Sequence, residues 1–419
     1  MNELEKRREN LFSLMRENSV AIIFSGVEKI ASEDEAYPFV VNNSFFYLTN
    51  ITQEHSALMM IKGIGEKKCY LFIDEYNELK EKWTGRRLTF DEAEQLSGLQ
   101  NVYSMDNFEN MLNLALTNEN NQYGTINNIY IDLTPEIKIE NQLSTLTFRD
   151  ELEAKYKISA LDLKPLITSL RMIKSPFEIE QLRDAISATN LGINKLILSL
   201  RPGIMEYELA DIFEFFGRGY NRNKLAFSTI VAAGKNATCL HYPKQTSAIR
   251  GDEMVLFDLG YKSNGYCADI SRTFPVDGVY KGKGKLVYEA VLNCNKAVIE
   301  YAHPGLTIAD LQDFAKKFLK NECVRLKLLN EEDDIQKVYY HNVSHHLGLD
   351  THDASNREKP LEEGNVITVE PGLYFADLGI GVRIEDDILI RNDKAEVLSI
   401  GIPKEIEDIE KLFRTKGNN

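Results

Sequence analysis

Two aspartates lie inside what reads as a β-hairpin, and that placement constrains this chain more than any other stretch. Residues 254–274 read MVLFDLGYKSNGYCADISRTF. Met254 to Leu259 is apolar apart from Asp258, and Tyr266 to Phe274 is a mixed run carrying Asp269. Lys262, Ser263, Asn264 and Gly265 between them are turn residues, ending in the hairpin signal Asn-Gly. Closure about Ser263–Asn264 puts Asp258 directly opposite Asp269, Cβ atoms roughly 4.5–5.5 Å apart. Closure on Asn264–Gly265 moves the partner two residues along, still on the same face. Facing carboxylates raise one another's pKa, and burial raises both. A bound cation removes the cost; a solvated pair on a polar face is the other reading.

The later sequence repeats the anomaly. In VITVEPGLYF, Glu370 closes an apolar strand before a Pro371-Gly372 turn. GVRIEDDILI reads as one strand of period 2, with Val382, Ile384 and Asp386 on one face and Arg383, Glu385 and Asp387 on the other. The chain has seven histidines, and four of them (His341, His345, His346, His352) crowd into HNVSHHLGLDTH, with His241 upstream. His341 and His345 have i, i+4 spacing, but Gly348 and the β-branched and aromatic neighbours argue against a regular helix and a zincin-type pair. Four buried carboxylates cannot all ionise without cations. Two divalent ions about 3.5–4 Å apart, bridged by carboxylates, balance the charge and leave room for water. Carboxylates with one imidazole suit manganese, iron, cobalt or zinc rather than a thiolate site. The implied chemistry is hydrolysis by a metal-activated water.

Asp258, Asp269, His345 in S-H-x-L-G-L-D-x-H-D, Glu370 in V-E-P-G and Glu385 in R-I-E-D-D, in this order, resemble the five-ligand signature of the pita-bread metallopeptidases. Residues 1–160 resemble the creatinase/aminopeptidase P N-terminal domain in E-D-x-x-Y-P-F, F-F-Y-L-T and W-T-G-R-R, and the tail I-P-K-E-I-E-D-I-E is similar to that of aminopeptidase P. The resemblance implies a small α/β N-terminal domain over 1–160 and a pita-bread catalytic domain of α+β type over 161–419.

It also implies roles. Asp258 binds one metal with both oxygens, Asp269 and Glu385 bridge two, and His345 and Glu370 complete the second. Two divalent ions are implied, manganese first, with zinc, cobalt or iron as alternatives. Glu370 also activates water and passes its proton to the departing nitrogen. His241 and His352 steady the substrate carbonyl and tetrahedral intermediate, and His341 and Arg383 match further active-site positions. His346 matches a variable position and has no role assigned. Phe227 and Tyr374 fall where the family places aromatic walls for a proline, whose ring has a fixed φ and no N–H. Trp83 matches a residue that reaches a neighbouring subunit's active site, which implies a homodimer or homotetramer; Asp34 belongs to the same entrance. The activity implied is an Xaa-Pro aminopeptidase, acting on peptides with proline second. A prolidase, restricted to dipeptides, shares most motifs. Methionine aminopeptidase usually lacks this N-terminal domain, and creatinase lacks the metal. A catalytically inactive pita-bread module for binding partners requires lost ligands, and none is lost here.

The rest of the chain bounds these readings. At 419 residues it exceeds one ordinary core and suggests two domains. Its net charge of −15 argues against nucleic acid or an anionic membrane as partner. Cys69, Cys239, Cys267, Cys294 and Cys323 form no C-x-x-C and read as reduced, mostly buried thiols. The charged N-terminus is no signal peptide, no stretch approaches a membrane span, and cytoplasmic is the expected location. Locally, a helix is expected over 3–16 with Leu4, Leu11, Leu14 and Met15 inward. Strands are expected at 20–24, 45–48, 57–61, 69–73 and 129–131. Ser175-Pro176-Phe177-Glu178 is a helix start with a capping box, and a second helix runs from about Met205 to Phe216. AFSTIVAAGKNATCLHY reads as a strand, a Gly-Lys-Asn turn and a strand end at His241.

Overall fold

The structure, a computed structural model, describes residues 2–117, 123–134, 145–218 and 224–416. The chain divides into two compact units, Met1–Leu170 and Arg171–Asn419.

The first unit is built on a six-stranded mixed sheet of β1 (Ser19–Phe24), β2 (Ala57–Lys62), β3 (Lys67–Ile73), β4 (Val102–Ser104), β5 (Asn128–Ile131) and β6 (Ala160–Asp162), in the order β4-β3-β2-β1-β5-β6. The central runs SVAIIF and ALMMIK are buried along nearly their whole length, as strands covered on both faces must be. Phe24, Phe72, Phe108 and Phe148 pack edge-on or tilted in the core. Two expectations fail here. Residues 45–48 are helical, within Asn43–Thr49, because the Asn42 side chain caps the Ser44 and Phe45 N–H groups and Asn50 ends the turn at φ 58. In the first helix, Glu3–Leu14, Leu11 is buried but Leu14 turns outward. Arg7 and Arg8 are buried in its stead, donating to the carbonyls of Tyr47, Leu48 and Ser97. Their stems pack while their guanidinium groups satisfy carbonyls at chain ends. Trp83, on the helix Glu78–Thr84, is 80% exposed. Asp34 is exposed on a turn closed by the Ala31 and Ser32 N–H groups donating to Glu35 O.

The second unit opens as its sequence suggests. Ser175 accepts from the Glu178 N–H, Glu178 returns the bond, and the helix Pro176–Ser199 follows; Glu206–Arg218 is the next helix. Then come β7 (Lys224–Leu225), β8 (Ile230–Ala233), β9 (Met254–Leu259), β10 (Tyr261–Ser263), β11 (Tyr266–Cys267) and β12 (Ile270–Pro275). The 254–274 hairpin closes on Asn264–Gly265, at φ 45 and 87, the left-handed pair that a two-residue turn demands. Asp258 therefore faces Ser271, not Asp269. At Gly260 the strands come so close that a Cβ would lie 2.1 Å from Ala268 O. The segment expected to regain a strand at His241 instead forms a 3-10 turn, Gly234–Thr238, and a loop.

Helices Gly282–Tyr301 and Ile308–Arg325 stack Tyr301 on Phe314. They precede β13 (Val366–Val369), β14 (Gly372–Phe375), β15 (Ile380–Arg383), β16 (Asp386–Ile390) and β17 (Ala395–Val397). GVRIEDDILI is thus two strands rather than one. Glu385 sits in the break, its N–H donating to Ser271 O at 3.0 Å. Behind this break Arg272 and Asp386 form a fully buried ion pair at 2.7 Å. Arg272 also donates to the carbonyls of Ser271, Glu385, Ile402 and Pro403, while Ser399 and Lys404 donate to Asp386. Burial alone raises the Asp386 pKa, but Arg272 and Lys404 more than offset it and hold it below the ordinary value. Cys267, Cys294 and Cys323 are buried and Cys239 exposed, all as free thiols.

Candidate metal centre

The polar cluster lies where β9, β12, β13–β16 and the loop 341–353 converge. Its core is Asp269, His345 and Glu385, each offering a ligand atom, all within 4.8 Å of one another. Asp269 follows the hairpin's close approach at Gly260, and its N–H donates to Asp387 Oδ2 at 3.2 Å. His345 hangs on a loop bonded to β13: Thr368 N–H donates to its carbonyl. Its Nδ1 lies 3.1 Å from His346 O. A carbonyl oxygen only accepts, so this contact is made by Nδ1–H, and Nε2 is the nitrogen turned towards the carboxylates, the arrangement a metal-ligating histidine uses. His345 Nε2 is 3.4 Å from Asp269 Oδ2 and 3.5 Å from Glu370 Oε1. Glu370 follows β13 immediately and is held by its N–H to Val343 O at 2.8 Å.

Asp258 stands at the edge of this group. The Arg383 guanidinium donates to its Oδ2, and Ser271 Oγ lies 3.3 Å from its Oδ1. Ser271 is the hub the sequence reading missed. Its Oγ lies 2.7 Å from Glu385 Oε2 and accepts from Arg383 Nε at 2.7 Å. The hairpin closure on Asn264–Gly265, which sets Ser271 opposite Asp258, is the signal that could have found it. Arg383 NH1 donates to the Tyr374 hydroxyl at 3.3 Å, which in turn lies 2.8 Å from His341 Nε2. Tyr374 is only 2% exposed, so its hydroxyl links two polar groups beneath the site.

The electrostatics test whether these groups fit a cation. Burial, then Glu385 and Asp258, push the Asp269 carboxyl well above its ordinary range. Glu370 is raised by burial and then by Glu385. Burial and Asp258 push Glu385 up to about 7. Asp387, which sequence reasoning left unused, is raised by burial and then by Asp269, and its Oδ1 is buried with no partner. Carboxylates so placed are mutually destabilised as anions until positive charge enters. With oxygen and imidazole donors and no thiolate, the set fits a divalent cation.

The histidines divide. His241 and His352 line a cavity of about 730 Å³ with Asp258, Asp269 and Phe227. The His352 ring centroid is 4.3 Å from that of His345. Burial, then neighbouring His345, lowers the His352 pKa. His341 is brought down to about 3 by burial and then by Arg383, and is neutral. His346 is buried, at about 3 for the same first reason, and faces Lys174. The loop carrying His345 and His352 is clamped from below: Asp353 accepts from Arg171 and from Lys174 at 3.0 Å. Trp83 and Asp34 belong to the first unit.

A buried carboxylate–imidazole cluster at the end of a cavity, set in the breaks and loops between paired antiparallel strands, has the donor set of a metal-dependent hydrolase. The sequence agrees with the family model described as metallopeptidase family M24 over residues 180–392, and with the aminopeptidase P N-terminal domain over 4–123. The chain belongs to metallopeptidase family M24. It is 34% identical to the Xaa-Pro aminopeptidase of Haemophilus influenzae over 98% of this chain and 97% of that one. A candidate aminopeptidase P from Bacillus anthracis has a similar structure, with a TM-score of 0.94, 38% identity and coverage of 99% and 98%. Escherichia coli aminopeptidase P, solved with the inhibitor Pro-Leu, aligns at TM-score 0.88 and 28% identity over 100% and 99%. Among the described residues, no helix is long and apolar enough to cross a membrane.

Proposed function

We propose that this protein is a cytoplasmic Xaa-Pro aminopeptidase, a metallo-exopeptidase that hydrolyses the bond between an N-terminal residue and a following proline. The observation that carries this reading is the Asp269–His345–Glu385 cluster, with Glu370 beside it, at the end of the cavity. Asp258, Asp269, His345, Glu370 and Glu385 would hold two divalent ions, manganese first. Bound there, such ions polarise a water and the scissile carbonyl.

The chain's own residues do the rest. Glu370 takes the proton of the attacking water and returns it to the proline nitrogen as the C–N bond breaks. His241 and His352 face the carbonyl oxygen as its charge develops. Arg383 orients Asp258, and His341, neutral and bonded to Tyr374, fixes the floor. Phe227 lines the cavity on the proline side, with Tyr374 behind. The catalytic domain runs over 161–419. In a homo-oligomer, dimer or tetramer, exposed Trp83 and Asp34 of the 1–160 domain would reach the entrance of a neighbouring subunit's site.

The relatives favour an aminopeptidase over a dipeptidase: those of Haemophilus influenzae and Escherichia coli are named Xaa-Pro aminopeptidase and match over nearly their whole length. The test offers the manganese-loaded protein an Xaa-Pro dipeptide, an Xaa-Pro-Yyy tripeptide and Met-Ala-Ser. Cleavage of the tripeptide at the Xaa-Pro bond is expected; cleavage of the dipeptide alone overturns the reading.

A further inference from the structure

His241 is exposed and lines the cavity without belonging to any strand. It sits in the irregular segment between β8 and β9, and one carboxylate bonds that segment at four points. Glu206, in the first turn of the helix Glu206–Arg218, is fully buried. Its Oε1 accepts from the Ala233 N–H at 2.8 Å and Asn236 Nδ2 at 2.9 Å. Its Oε2 accepts from the Ser247 N–H at 3.0 Å and the Tyr242 hydroxyl at 3.2 Å. Its own N–H donates to Ser247 O at 3.1 Å, and Asn236 also donates to Ser247 Oγ at 2.9 Å. One side chain thus grips the segment at its start (Ala233), after its first turn (Asn236), beside His241 (Tyr242) and at its end (Ser247).

Four neutral donors, two to each oxygen, satisfy the carboxylate completely. No neutral side chain of the same size does this: a glutamine keeps one accepting oxygen and turns an NH₂ towards two donors. Pairing by N–H and O–H groups alone is an expensive use of a buried acid if its task were packing. The arrangement is explained by geometry, since every bond fixes the path of the loop over the cavity.

We infer that Glu206 is a positioning residue for catalysis, holding His241 at its working distance from the reacting carbonyl. The inference rests on the role proposed for His241. Misplacing such a group by about 1 Å costs up to about 100-fold in rate.

The test is a double-mutant cycle on the manganese-loaded enzyme with an Xaa-Pro-Yyy tripeptide. Glu206→Gln is expected to lower kcat by about 10–100-fold with KM and bound manganese little changed. In a His241→Ala background it should cost almost nothing more, because the group it positions is gone. Asn236→Ala removes a donor without touching the cavity lining; it should give a smaller loss that likewise vanishes with His241→Ala. A folding defect would instead multiply with His241→Ala. Full activity of Glu206→Gln, or losses that multiply, would overturn the inference while the function stands. An undiminished His241→Ala enzyme would overturn the role of His241 and the inference with it. If Glu206→Gln does not fold, Asn236→Ala carries the same cycle.

Discussion

Arg383 and Asp258 form an ion pair across two separate stretches of chain, their side chains 5% and 13% exposed. The same guanidinium bonds Ser271 and Tyr374, so it sets three side chains at once. Arg383→Ala should reduce kcat/KM by about 100–1000-fold, the scale of losing an oriented charge in a water-excluded site. Arg383→Lys should recover only part, because an ammonium cannot span all three partners. Steady-state kinetics on an Xaa-Pro-Yyy tripeptide decide it, and an Arg383→Ala loss below threefold would contradict the geometry.

Ser271 joins Asp258, Glu385 and Arg383 without itself being a carboxylate. Ser271→Ala should weaken divalent metal affinity by about 10–100-fold, as loss of a hydrogen bond behind a ligand does. At saturating metal, kcat should stay within a few-fold of wild type. Manganese titration by calorimetry, with activity followed in parallel, separates the two effects.

Metal should compete with protons. Without metal, burial and Asp258 push Glu385 up to about 7, and Asp269 and Glu370 lie well above their ordinary values. Acids with raised folded-state pKa values favour folding at low pH. Metal-free protein should therefore lose stability as pH climbs from about 4.5 towards 7 and beyond. Added manganese at pH 7 should release protons, with apparent affinity rising with pH. Calorimetry in two buffers of different ionisation enthalpy counts those protons; no release would count against the cluster.

Asp353 runs the other way. Burial raises its pKa, but Lys174 and Arg171 more than offset this and bring it down to about 2. Its depressed folded-state pKa contributes stability that is complete above about pH 5 and lost as pH falls towards 2. From an ordinary value of 3.8, the linked contribution is about 2 kcal/mol. Asp353→Asn should remove that part of the acid sensitivity, seen by urea unfolding between pH 5 and pH 2.5 with the metal kept out of both samples.

Much of this architecture was legible in the sequence, because its signals are local. The Asn-Gly turn, the Ser175–Glu178 capping box and the acids inside apolar runs each declare themselves within a dozen residues. Errors came where a short apolar run fits two periods. Phe45–Leu48 packs as well in a helix as in a strand, and only the Asn42 cap decides. GVRIEDDILI alternates correctly, yet the ladder breaks at Glu385 because that residue bonds Ser271 instead. The supports were invisible for a different reason. Glu206 meets residues 27 to 41 positions away, and Asp353 meets cations some 180 positions earlier. No periodicity encodes such meetings.

The buried pair behind the site also makes it depend on residues far along the chain. Arg272 and Asp386 adjoin Ser271 and Glu385; Arg272 donates to the carbonyls of Ile402 and Pro403, and Asp386 accepts from Ser399 and Lys404. Without the stretch from Ser399 to Lys404, a buried guanidinium and a buried carboxylate would each lose partners right behind the cluster, a cost of several kcal/mol for an ion pair stripped of its hydrogen bonds. That stretch, which carries no site residue, therefore bears on the geometry of the site as directly as the strands that do.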